Sequence, residues 1–165
     1  MYYLEVFSLL NKLKVRYLVV GGIAVVLHGV VRLTADLDLM VELEKKNLQK
    51  FFEALDTLGY KPKLPVKSTD FADPVKRREW IEKKNMKVFS FIHPKVDYKL
   101  IDVFVDEPIP FEKAYQRRQI MKAKDTVVDV ISFQDLIVLK KTAGRKQDLS
   151  DIKMLEEIAK ENEKK

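Results

Sequence analysis

The sequence predicts an α/β (α+β) protein, a mixed sheet flanked by helices with a helical C-terminus. Three observations carry that expectation. Apolar residues recur at helical spacing near the N-terminus, at Leu4, Phe7, Leu10 and Leu13. Short apolar or alternating runs lie further along: "RYLVV", "DLDLMVEL", "MKVFSFIHP" and "YKLIDVFVD". Glycines and prolines punctuate the two kinds of segment, so helices and strands interleave along the chain.

Taken in order, Tyr3 to Lys14 reads as a helix and "RYLVVGG" as a buried strand ending in a glycine turn. Residues 23–29 form a helix stopped by Gly29. In "DLDLMVEL" the alternation puts Asp36, Asp38 and Met40 on one face and Leu37, Leu39 and Val41 on the other. "NLQKFFEALDTLGY" is a helix closed by Gly59. Residues 61–87 hold Pro62, Pro65 and Pro74 and read as loop with a short helix or strand. "MKVFSFIHP" and "YKLIDVFVD" pair antiparallel across "PKVD". A helix from Glu112 to Arg118 and strands near Met121 and Val127 to Val130 follow. Ser132 then caps the helix in "SFQDLIVLKKTAGR", and "DLSDIKMLEEIAKENE" is the last helix.

Length and composition bound the class. The 165 residues predict one domain over 1–165, with its helical C-terminal part about 132–165. A 47% hydrophobic and 34% charged composition belongs to a globular chain. The apolar run Ile23 to Leu27 stops at His28, far short of a membrane span. The N-terminus lacks a basic region before its apolar part and a small-residue cleavage site, so no signal peptide is expected. The absence of cysteine excludes disulfides, thiol nucleophiles and Cys-bound zinc. A cytoplasmic protein is expected. The net charge of +6 permits a polyanionic partner such as RNA or a nucleoside triphosphate, and equally a salt-bridged surface. Abundant Lys, Glu and Val against 4 Asn and 5 Gln lean toward a thermophile.

The chemistry concentrates in "GGIAVVLHGVVRLTADLDLMVEL", Gly21 to Leu43. Carboxylates inside an apolar run are costly to desolvate unless a cation sits beside them or the face is solvated. Asp36 and Asp38, two apart on a strand, project from the same face. Hard cations such as Mg²⁺ or Mn²⁺ take oxygen ligands of this kind and share them with substrate phosphates. Asp102 interrupts the apolar run Leu100 to Phe104 and is the candidate third ligand, with Asp97 and Asp106 as rivals. Gly21 and Gly22 make a turn whose backbone N–H groups suit phosphate oxygens. Arg32 and Thr34 add a cation and a hydroxyl for the same triphosphate.

The block "GGIAVVLHGVVRLTADLDLMV" and the block "DLIVLKKTAGRKQDLSDI", Asp135 to Ile152, together resemble the nucleotidyltransferase superfamily (DNA polymerase beta-like fold). The similarity is to its small group related to AbiEii-type toxins and spans about Tyr17 to Leu155. The resemblance implies a nucleotidyltransferase fold, a Mg²⁺ or Mn²⁺ cofactor, and transfer of a nucleotide from an NTP to an acceptor. RNA, tRNA or a protein could serve as acceptor, with a toxin–antitoxin connection. The alternative within the same fold is a non-catalytic nucleotide- or RNA-binding protein. Oligomeric state is not legible in the sequence.

In the second block, Phe133, Leu136, Ile137 and Lys140 share one helical face, and Lys141 points elsewhere. Lys140 is therefore the lysine placed to reach a phosphate. Asp148 lies on the inward stripe with Ile152, Leu155 and Ala159. Lys140 and Asp148 match a functional lysine and aspartate of the toxin relatives, and equally fit a salt bridge between the last two helices. Arg145 reaches the triphosphate, or pairs with Asp148 and Asp151. His28 reads as a packed or capping histidine. Trp80, amid Arg77, Arg78, Lys83 and Lys84, is an aromatic that can stack a nucleobase.

Overall fold

A computed structural model describes residues 3–165. Seven strands make one mixed sheet among the described residues, in the order β3-β4-β5-β2-β1-β7-β6. The strands are β1 (Tyr17–Val20), β2 (Leu37–Val41), β3 (Lys61–Pro62), β4 (Val88–His93), β5 (Val96–Phe104), β6 (Gln119–Ala123) and β7 (Thr126–Val130). The helices are α1 (Leu4–Lys12), α2 (Gly21–Leu27), α3 (Lys45–Thr57), α4 (Ser68–Phe71), α5 (Pro74–Lys84), α6 (Phe111–Gln116), α7 (Phe133–Ala143) and α8 (Lys146–Glu163). β2 runs parallel to β5 and β1 parallel to β7, whereas the β1–β2, β3–β4, β4–β5 and β6–β7 pairs are antiparallel. No helix among the described residues is long and apolar enough to cross a membrane.

The four residues of β1 are all buried, which is why they read as one apolar run. α2 starts at Gly21 itself, two residues earlier than the expected helix, because the glycines form its first turn. His28 caps its C-terminus and Gly29 follows at φ +111°, a conformation that favours glycine. The ring Nε2 of His28 donates to the Ile131 carbonyl at 2.8 Å and the ring meets Phe133 edge-on, so this histidine is packed, as expected.

Leu37, Leu39, Ile101 and Val103 are fully buried in neighbouring strands β2 and β5. The opposite face of β2 is not solvated throughout, for Met40 is only 2% exposed. At the sheet's other end, Phe51, Phe71, Phe89 and Phe91 form a buried aromatic group.

The segment 61–87, unreadable in the sequence, contains β3, α4 and α5. Asp73 caps α5 through the Val75 N–H at 2.9 Å, Pro74 stands at its first position, and Asn85 ends it in the left-handed conformation. The helix escaped notice because Arg77 and Trp80 are its only buried residues, too few to make an apolar stripe. Trp80 stacks on Phe89 at 5.3 Å and is 8% exposed, so it belongs to the core and is not free to stack a nucleobase. Two further boundaries differ. The β4–β5 turn is only Pro94 and Lys95, so β5 begins at Val96, and α6 spans 111–116, with Arg117 as its C-cap.

Candidate active site

The carboxylates meet because two strands that are distant in sequence lie in register. Asp38 on β2 stands directly opposite Asp102 on β5. Directly opposed residues in neighbouring strands share a face, so both carboxylates leave the sheet on the same side. Ser90, opposite Asp102 on β4, donates from Oγ to Asp102 Oδ1 at 2.5 Å. Asp36 lies one residue before β2 begins, exposed at its entrance and not within the strand as expected. The rivals Asp97 and Asp106 fall at other positions, Asp97 near the start of β5 and Asp106 beyond its end.

Tyr3 supports the row from behind. Its hydroxyl donates to the Ala35 carbonyl at 2.6 Å and accepts the Leu100 N–H at 3.3 Å. Ala35 precedes Asp36 and Leu100 lies two before Asp102, so one side chain ties together the approaches to both carboxylates. Burial, and then the charges of Asp36, Asp38 and Asp102, push this hydroxyl up to about 12. Tyr3→Phe keeps the ring and loses the two hydrogen bonds. Its expected cost is about 1–2 kcal/mol, readable by urea unfolding, with weaker Mn²⁺ binding alongside. Unchanged stability and Mn²⁺ affinity would count against this role.

The glycine pair is shaped by what packs on it. Gly21 has φ +66°, and a Cβ there would collide with the Asp38 carboxylate. A Cβ on Gly22 would lie 2.5 Å from Thr34 Oγ1 and 3.3 Å from an Arg32 nitrogen. The 30–36 strap therefore lies against the first turn of α2, with Arg32 and Thr34 inward. Gly22→Ala should destabilise the fold by about 1–3 kcal/mol through this overpacking. Thr34→Ala in the same protein should restore much of the loss. A double-mutant cycle measured by thermal melting checks this, and additive effects would contradict the contact.

Beyond the strap lies a buried ion cluster. Lys140 Nζ sits 3.2 Å from Asp148 Oδ1 and 2.9 Å from Asp151 Oδ2, with both aspartates at most 1% exposed. Arg32 reaches Asp151 Oδ2 at 2.8 Å, and Gln147 donates to its other oxygen at 2.9 Å. Arg145 pairs with Asp148 at 2.7 Å and keeps a side chain 75% exposed. Burial opposes the Asp148 carboxylate, but hydrogen bonds from Arg145 and Lys140 outweigh it and hold its pKa below the ordinary range. The Lys140 ammonium is thus engaged by two carboxylates and is no free phosphate ligand. Its charge, with that of Arg145, acts on Asp38.

Asp38 feels the opposite environment. Burial first, then the charges of Asp102 and Asp36, push its carboxyl up to about 7. Burial and Asp102 raise Asp36 as well, against the pull of Lys63. Such mutual repulsion is relieved by a bound cation. Among the described residues no three His, Cys, Asp or Glu side chains already converge as a metal-binding group. Asp38 and Asp102 form a pair with Asp36 at its margin. That donor set suits Mg²⁺ or Mn²⁺, which are held by one or two carboxylates and complete their shells with water and substrate phosphates.

Residues 4–161 match the family described as a nucleotidyltransferase of unknown function, DUF6036. The chain belongs to that family. No curated protein matches the sequence. Among solved structures, the lincosamide antibiotic adenylyltransferase LnuA bound to lincomycin is similar at 20% identity and TM-score 0.58, with 90% of each chain covered. ANT(2")-Ia in complex with adenylyl-2"-tobramycin is similar at 14% identity and TM-score 0.56, covering 92% of this chain and 83% of that one. A candidate nucleotidyltransferase from Thermotoga maritima is similar at 13% identity and TM-score 0.56, covering 90% and 86%. These likenesses establish the nucleotidyltransferase fold of this family member.

Sequence reasoning passed over Tyr3 and Ser90, which hold the carboxylate row, and gave Asp151 only a pairing with Arg145. The signal for Asp151 was available, since it lies three residues after Asp148 on the same inward face. Nothing local marks Tyr3 or Ser90, because their partners are 97 and 12 residues away.

Proposed function

We propose that this chain is a divalent-metal-dependent nucleotidyltransferase, residues 1–165 acting as one domain, that moves a nucleoside monophosphate from an NTP to an acceptor hydroxyl. The observation that carries the reading is the Asp38–Asp102 pair, in register on one face beside the Gly21–Gly22 turn. Asp36, Asp38 and Asp102 would hold Mg²⁺ or Mn²⁺, which when bound neutralises charge on the phosphates and polarises the α-phosphate. The N–H groups around Gly21 and Gly22, with Thr34 and Arg32, bind the β- and γ-phosphates. Arg145 reaches toward them from α8, while Lys140 stabilises developing charge from within the ion cluster. Asp102, oriented by Ser90, takes the proton of the attacking hydroxyl.

The acceptor class is open to RNA, a protein or a small hydroxyl compound, and the antibiotic-modifying neighbours favour the last. A cytoplasmic setting rests on composition, and a relation to AbiEii-type toxins rests on the two sequence blocks.

The test is transfer of label from each α-labelled NTP, with Mg²⁺ or Mn²⁺, to cellular RNA, protein and small molecules. Label that disappears in Asp38→Asn supports the enzyme. No label, despite NTP binding, supports a nucleotide-binding protein of the same fold.

A further inference from the structure

The row containing Asp38 and Asp102 extends beyond them. Val20, Asp38, Asp102 and Ser90 are successive partners across β1, β2, β5 and β4. On the next strand, the Lys63 N–H donates to the Ser90 carbonyl at 2.9 Å, continuing the β3–β4 register by one residue. Lys63 therefore stands in the same row, and its side chain leaves the same face. Neighbouring strands lie ~4.8 Å apart, so Lys63 lies two strands, ~10 Å, beyond Asp102 before its flexible stem is counted. It is exposed and makes no ion pair among the described residues, although Asp36 feels its charge. Arg32 and Lys140, by contrast, are committed to Asp151 and Asp148.

The order along the row separates two sides of the site. The glycine turn follows Val20 at one end, and Lys63 stands at the other. In phosphoryl transfer the attacking and leaving oxygens lie roughly in line. Resting on the proposed function, pyrophosphate held at the glycine turn leaves toward that end, so the acceptor hydroxyl approaches over Ser90 and Lys63.

We propose that Lys63 is the acceptor-binding residue of this site, and that the acceptor is a hydroxyl compound carrying an anionic group such as a phosphate. In the step, the acceptor oxygen bonds to the α-phosphorus and the bond from that phosphorus to the bridging oxygen breaks. The electron pair leaves with pyrophosphate, and the hydroxyl proton passes to Asp102. A polycationic acceptor would meet Lys63 as a like charge.

The test uses a deproteinised cell extract separated by charge before reaction into anionic, neutral and cationic fractions. Each fraction is incubated with protein, α-labelled ATP and Mn²⁺, with and without ribonuclease to tell small anions from RNA. Wild type should label the anionic fraction. Lys63→Met should lose tenfold or more of that transfer, Lys63→Arg should keep most of it, and all three should bind Mn²⁺–ATP equally, which shows that they are folded. Label in the neutral or cationic fraction, no label despite bound ATP, or full transfer by Lys63→Met overturns the acceptor assignment. Failure of wild type to bind Mn²⁺–ATP instead overturns the proposed function on which it rests.

Discussion

Asp38→Asn protein is expected to melt higher than wild type in metal-free buffer at pH 8 and to have lost nucleotide transfer. The reason is the raised carboxyl of Asp38. A group whose pKa rises on folding, here from 3.8 to about 7, binds its proton more tightly in the folded state. Its contribution to stability is fully present below the ordinary carboxylate value and is lost as pH rises through about 7. The shift corresponds to a few kcal/mol at most, or roughly 5–10 °C in melting temperature. Asn carries no charge, so the variant should show a flatter melting profile between pH 5 and pH 8. Mg²⁺ competes with the proton for the same oxygens. It should therefore raise the wild-type melting temperature more at pH 8 than at pH 6, and should leave the variant nearly unmoved. Transfer should fall by about 10²–10³-fold or more, the range for removing one preorganised electrostatic group. A wild-type profile that is flat with pH, or a Mg²⁺ effect surviving in the variant, would sink this account of the site.

The second large effect belongs to Lys140. Its ammonium sits between two aspartates that are at most 1% exposed, with Arg32 and Arg145 as the other cations. Lys140→Met leaves too little positive charge inside the cluster and fills the space with an apolar chain. Breaking a buried pair in this way costs ~3–5 kcal/mol, because an uncompensated carboxylate remains out of water. For a chain of this size that is roughly 6–20 °C. Lys141→Met is the natural control, since Lys141 is exposed one residue later and should move stability by no more than ~0.5 kcal/mol. Equal melting temperatures for the two variants would mean that the cluster does not hold α7 and α8 together.

Much of the fold could be read because the signals were local. The burial of β1, the Ser132 hydroxyl accepting the Asp135 N–H at 3.1 Å, and Gly144 closing α7 each follow from a few adjacent residues. Lys140 was separated from Lys141 by helical periodicity alone, and the two are buried and exposed respectively. α5 resisted for the opposite reason. It carries mostly basic side chains and touches the core only through Arg77 and Trp80, so neither period nor hydrophobicity marks it. Trp80 also shows how composition misleads, for an aromatic set among cations turned inward onto Phe89.

By itself the sequence determined which residues could carry charge chemistry: two aspartates two apart, a third in a distant apolar run, a glycine pair, and a lysine and aspartates on inward helical faces. Those are properties of residue type and spacing, and they survive without coordinates. Only the tertiary structure decided how they are joined. The register of β2 against β5 puts Asp38 opposite Asp102, the register of β4 adds Ser90, and the β3 extension adds Lys63. It also decided that Arg32 and Lys140 are balanced by Asp151 and Asp148 instead of standing free. The physical reason is that strand register and ion pairing are set by contacts between segments far apart in the chain. A carboxylate's ionisation depends in turn on that company, and no local pattern records it.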